Sequence, residues 1–157
     1  MTSAWAFAVA AWRRPGVEAT CLELQDAHGQ LPALLLWRLW TLEANHPVAP
    51  ESLAAAIAAA REWDARVLGP LRVLRRRLAV SGAPIADKAR AAVRRRVLDA
   101  ELEAEHALID ALEALETPSE ASARQGAESP LEALVELAGA WRSPPPSTAL
   151  ARLIEAL

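Results

Sequence analysis

LPALLLWRLWTL, residues 31–42, is the stretch on which the fold turns. Nearly every position is apolar, so a helix here has no polar side to offer water and must be enclosed by other elements. The run falls well short of the roughly 20 residues needed to cross a bilayer, and Arg38 interrupts it, so it reads as a core helix and no membrane role is expected. Pro32 occupies its first turn, where a missing N–H costs little. Composition points the same way. Ala, Leu, Arg and Glu dominate, Tyr is absent and Phe occurs once, which favours helix over sheet. A chain of 157 residues is the size of one domain, and the expected class is all-α.

Working outward toward the N-terminus, a second helical segment covers about Val17 to His28, with Val17, Cys21 and Leu24 on one stripe, and stops at Gly29. A first segment, about Ser3 to Arg14, carries Trp5, Val9 and Trp12 on one stripe and ends at Pro15-Gly16. This start is apolar enough to resemble a signal sequence, but its arginines follow the apolar stretch instead of preceding it, so it reads as a buried helix. Toward the C-terminus, NHPVAPES opens a fourth segment, LAAAIAAAREWDARVL. Gly69-Pro70 reads as a break before a short fifth helix, LRVLRRRLAV, and SGAP at 81–84 as a tight turn. From about Ile85 to Leu115 no Gly or Pro intervenes, which allows a helix roughly 45 Å long.

The expectation is an irregular bundle of about six helices within residues 1–116, centred on the apolar one. Residues 117–129 have too little apolar content to fold and read as a linker. Residues 130–157 hold two short amphipathic helices, PLEALVELAGAW and STALARLIEAL, split by Pro144 to Pro146. Helices so short are marginal alone, so they either dock on the bundle or bind another chain.

Charge is segregated along the chain. Residues 61–96 carry eleven basic and three acidic groups, while residues 97–136 carry one basic and eleven acidic. The boundary falls inside VRRRVLDAELEAEHALIDAL, residues 93–112, where bases precede acids against the preference of the helix macrodipole. Tertiary packing must therefore hold this helix. If the fifth and sixth helices form an antiparallel hairpin, Arg75, Arg76 and Arg77 approach Lys88, Arg90, Arg94, Arg95 and Arg96. Such a cluster either receives an anionic partner or pairs with the protein's own carboxylates. Nucleic acid is a weakly supported partner, because no nucleic-acid motif accompanies the arginines and the six tryptophans lie mostly on apolar stripes.

Projected at 100° per residue, Val93, Val97, Leu98, Leu102, Leu108, Ile109, Leu112 and Leu115 fall on one half of the long helix. Arg94, Glu101 and Glu105 fall there too. A carboxylate on a buried face must be paired, protonated or metal-bound, and Glu101 and Glu105, four apart, can share one arginine or one cation. Arg38 and Arg75 are candidate partners, and Asp26 is a candidate counter-charge for Arg38. His28 continues the second helix's apolar stripe and completes the candidate buried polar network. Glu43-x-x-His46 and Glu103-x-x-His106 have the spacing of di-iron bundles, but Glu103 and His106 project away from the apolar half and His46 precedes a proline. No cofactor or metal is expected. The single cysteine, Cys21, excludes an internal disulfide, and its apolar stripe would raise its pKa.

WAFAVAAWRRPGVEATCLELQDAHG, LLLWRLW and WDARVLGPLRVLRRRL, together with the ELEAE segment, resemble a family of short bacterial all-helical proteins of unknown function, over about residues 3–116. The resemblance implies a bacterial, cytoplasmic protein and brings no catalytic residues. Where the family pattern has a polar entry to the leucine run, this chain has Gln30-Leu31-Pro32-Ala33. The leading expectation is a non-enzymatic interaction or adaptor protein that uses the Arg-rich hairpin and the amphipathic tail to bind another protein or an anionic partner, with self-association compatible. Two alternatives stand beside it: a metal- or carboxylate-dependent enzyme using Glu101 and Glu105, and an RNA- or ribosome-associated protein.

Overall fold

The computed structural model describes residues 2–81, 84–115 and 128–157. Most of the SGAP turn's centre and of the stretch read as a linker lies outside the described residues. Helices run α1 Ala4–Trp12, α2 Val17–His28, α3 Pro32–Glu43, α4 Pro50–Trp63, α5 Gly69–Ala79, α6 Asp87–Ala114, α7 Pro130–Trp141 and α8 Ser147–Glu155, with no strand among the described residues. The chain is an all-α irregular bundle.

α3 is the centre. Residues Pro32 to Thr41 are all buried, and α1, α2, α6 and α7 pack around them. Leu34, Leu35, Leu36, Trp37, Leu39 and Trp40 supply much of the core, each worth about 1.5–3 kcal/mol when fully removed from water. The two Trp residues differ in their polar edges. Trp40 Nε1 donates to Thr2 O at 2.9 Å, whereas Trp37 Nε1 has no partner among the described residues.

α1 meets α3 through a stripe other than the one its sequence highlights. The buried residues are Ala4, Ala8 and Ala11, while Trp5 and Trp12 are only half-buried. Small side chains let the two helix backbones approach, and the large ones are displaced to the flank. The start of α1 is fixed twice: Ser3 Oγ accepts from Ala6 N at 3.2 Å, and Glu113 Oε2, from the far end of α6, accepts from Ala4 N at 2.9 Å. A carboxylate at a helix N-terminus is where the dipole favours it.

Gly69-Pro70 does not break the chain. α4 runs into α5 through a π-helical turn, Asp64–Leu68, in which the Gly69 N–H reaches back five residues to Asp64 O. Widening the turn makes room for a proline ring that would collide with the helix ahead of it. Glycine is required beside it, because a Cβ on Gly69 would stand 2.9 Å from the Asp64 carbonyl oxygen.

The tail helices share the core. α7 presents Leu134, Leu137, Ala138 and Trp141 at helical spacing to α3 and α4, and α8 adds Leu150 and Leu153 against α2 and α7. Polar contacts pin the seam: Trp141 Nε1 donates to Gly29 O at 3.0 Å, buried Gln30 Nε2 donates to Ser143 O at 3.2 Å, and Arg152 pairs with Glu23 at 2.7 Å. Gly29, at φ +63°, closes α2 in the left-handed conformation that glycine adopts without strain.

Candidate functional site

α5 and α6 pair as a hairpin whose outer half leaves the bundle. From Val73 to Arg96 no described residue is buried, and the first buried side chain of α6 is Val97. The arm holds eight basic residues and one acidic residue, Asp87. Exposed aliphatics lie among them: Val80 is 68% exposed, Ile85 57% and Val93 51%.

The arm's cations divide into two sets. Arg75 donates from Nε to Glu101 Oε2 at 2.7 Å, Arg76 pairs with Asp26 at 2.8 Å, and Arg90 pairs with Asp87 at 2.8 Å and donates to Val80 O. Arg77, Lys88, Arg95 and Arg96 are exposed and have no carboxylate within ion-pair distance among the described residues. Arg94 is half-buried, with its Nε unpartnered.

At the root of the arm lies an ion-pair cluster whose key member, Arg72, escaped the sequence reading. It is 8% exposed and contacts Asp64 at 2.8 Å, Glu101 at 3.4 Å and Glu105 at 3.8 Å. Arg72 is three residues ahead of Arg75, so both look onto the same face of α6, and Glu101 takes the two together. Arg72 stands outside the triple-arginine run, and its i, i+3 spacing to Arg75 is the sequence signal of the pair. Glu101 is buried and doubly paired.

Glu105, one turn on, is held less well. Burial pushes its carboxyl up to about 7 from an ordinary 4.5, Arg72 opposes that rise, Glu101 adds to it, and Arg75 opposes it more weakly. Cys21 lies close enough to feel this charge. Burial first, then Glu105, push its thiol up to about 12, so it is a neutral packing group and no nucleophile at physiological pH.

The other network candidates are dispersed. Arg38, 3% exposed, is neutralised by Glu128 and donates to Thr41 Oγ1 at 3.1 Å. The Asp26–Arg38 pairing is therefore corrected: α2 turns Asp26 outward to Arg76, and Glu128, just ahead of α7, takes its place. Asp26 is exposed and His28 half-buried at the end of α2, so neither belongs to a buried network. His106 also departs from expectation, since it faces α1, stacking on Trp5 at 4.2 Å and approaching Asp110 at 3.4 Å. The apolar half-wheel of α6 is narrower than its projection: Leu98 and Leu102 are 36% and 55% exposed. No group of three or more His, Cys, Asp or Glu residues is placed to hold a metal among the described residues.

Those exposed leucines have a place. They line a cleft of about 560 Å³ with Trp5, Val9 and Trp12 of α1, Leu22 of α2 and Leu36 of α3, and Glu101, Glu105 and Arg75 reach its wall. The displaced tryptophan stripe of α1 is thus the cleft's aromatic side.

Among the described residues no helix is long and apolar enough to cross a membrane. No curated protein and no solved structure matches the chain. Residues 3–112 match the family described as Protein of unknown function (DUF2390), and the chain belongs to that family. The match ends inside α6, so α7 and α8 lie beyond it.

Proposed function

We propose that the chain is a non-enzymatic interaction protein that engages an acidic, amphipathic segment of another protein through the α5–α6 arm. One observation carries this: the arm is a projection with no buried residue among those described from Val73 to Arg96, on which four cations without an ion-pair partner among the described residues are interspersed with exposed Val80, Ile85 and Val93. Cations without internal partners attract acids, and exposed aliphatics give a protein partner apolar area that a phosphate backbone does not supply. The arm holds no tryptophan, phenylalanine or tyrosine on which bases would stack, which disfavours RNA. The tail is released from the role expected of it, because α7 and α8 bury their apolar faces on the bundle.

The test separates the partner classes. A photo-crosslinking residue at Ala92 is introduced into the full chain in its native host, alone and together with Arg77→Glu, Lys88→Glu, Arg95→Glu and Arg96→Glu. These four positions have no ion-pair partner among the described residues, so thermal unfolding should be unchanged. The expected result is nuclease-resistant crosslinks to acidic protein segments, lost in the reversed variant. Crosslinks that survive the reversal, or that nuclease digests, would overturn the proposal.

A further inference from the structure

The cleft between α1, α2, α3 and α6 lies at the root of the arm, where Arg75 reaches its wall, and holds none of the four cations of the interaction just proposed. The ion-pair cluster that reaches its wall has an unequal count of charges. Arg75, Glu101 and Glu105 line the cleft, Arg72 and Asp64 stand behind them, and the two guanidiniums meet three carboxylates. Asp64 takes Arg72 Nη1 at 2.8 Å, and Glu101 takes Arg75 Nε at 2.7 Å and lies 3.4 Å from Arg72 Nε. The uncompensated negative charge falls on Glu105, whose nearest cation is Arg72 Nη2 at 3.8 Å and whose oxygens accept no hydrogen bond among the described residues. The rim repeats the imbalance, with Arg13 set against Glu18 and Asp99.

The remaining lining is apolar and aromatic: Trp5, Trp12, Leu36, Leu98, Leu102 and Ile109. We propose that this cleft binds a small organic cation with an apolar body, an alkyl- or arylammonium, with Glu105 as its counter-ion and Trp5 and Trp12 against its hydrocarbon. A volume of about 560 Å³ suits a small molecule and not a folded segment. An anion is opposed in the wall, where Arg75 is committed to Glu101 and the unpartnered Nε and Nη2 of Arg72 are shut off from solvent. A hard metal ion needs several oxygen ligands, and among the described residues no three His, Cys, Asp or Glu side chains are grouped to supply them. An ammonium satisfies the carboxylate, and the tryptophans cover its hydrocarbon.

Binding must depend on pH, because a protonated Glu105 offers no counter-charge. The groups that face it are Arg72 and Arg75 from α5, Glu101 from its own helix and Cys21 from α2, with Asp64 behind Arg72. Cys21 stays neutral, and the change near pH 7 falls on Glu105. His106, the adjacent residue, faces Trp5 and Asp110.

The probes are hexylammonium, hexanoate and hexanol, added to the full chain and followed by the Trp5 and Trp12 indole N–H resonances. Hexylammonium should shift both signals saturably at about pH 8, bind about tenfold more weakly at about pH 6, and lose its binding in Glu105→Gln. Glu105→Asp, which keeps the charge, should retain part of it, and hexanol should bind parent and Glu105→Gln alike, showing that the variant's cleft is intact. Hexanoate or hexanol binding as tightly as hexylammonium would overturn the proposal. So would hexylammonium affinity unmoved by Glu105→Gln, or the absence of a saturable shift at millimolar concentration.

Discussion

The two halves of α6 are one continuous helix and behave as two different objects. Before Val97 the helix is basic and buries nothing. After it the helix is acidic and inserts Glu101, Ala104, Leu108, Ile109 and Leu112 among α1, α3 and α4. The difference lies in what surrounds each half, since both are rich in good helix formers. The outer half is held by α5 and by its continuity with the inner half, which is anchored. That explains how a helix can run bases-first against its own dipole: the acids at its far end are neutralised from outside, Glu101 by Arg72 and Arg75, and Glu113 by the N-terminus of α1.

The contrast can be broken most severely at Glu101. Glu101→Ala leaves Arg72 and Arg75 without their shared carboxylate, and urea unfolding should show a loss of about 3–5 kcal/mol. Comparable removal of charge from the outer half, at Arg95 or Arg96, should leave stability within about 0.5 kcal/mol. A loss at Glu101 under about 1 kcal/mol would mean that the inner half is not anchored by this cluster.

Apolar truncation draws the same line at lower cost. Leu112→Ala removes a fully buried side chain and should cost about 3 kcal/mol, whereas Val93→Ala, 51% exposed in the parent, should cost less than about 0.5 kcal/mol. Equal costs in chemical denaturation would show that the arm is packed and not projecting.

The smallest of these effects has the opposite sign. Because Glu105 titrates near 7 in the fold and near 4.5 outside it, the folded chain keeps a proton that the unfolded chain loses as pH rises through that window. Stability therefore falls between about pH 4.5 and 7 on this group's account and stays lowered above. Glu105→Gln removes the penalty. It should stabilise the chain by about 2 kcal/mol at pH 8, discounted for its contact with the cleft, and by almost nothing at pH 4. A variant less stable than its parent at pH 8 would show that Arg72 needs the charge.

Much of the bundle was legible from residue types alone. The apolar run at 31–42, the glycine at 29 and the stripe of Val17, Cys21 and Leu24 depend on local pattern, and the structure follows them closely. Gly69-Pro70 misled because the same dipeptide that ends most helices is tolerated inside one when a π-helical turn widens the backbone, a choice made by packing on both sides. The tryptophans of α1 misled for a related reason. A helical wheel ranks side chains by hydrophobicity, but close approach to α3 selects small ones, so Ala4, Ala8 and Ala11 face inward and Trp5 and Trp12 line a cleft.

The candidate sites divide in the same way. That Glu101 and Glu105 need a partner follows from their place on an apolar face. Which arginines answer them, and that only one carboxylate is fully answered, requires the crossing of α5 over α6. By itself the sequence determined the helical class, the central apolar helix and the segregation of charge, because these depend on composition and on periods of a few residues. Only the tertiary structure decided that Arg72 joins Arg75 at Glu101, that Glu128 and not Asp26 meets Arg38, and that Glu105 is left facing an aromatic cleft. Pairings between distant residues are set by helix crossings, and a local period carries no record of which helices cross.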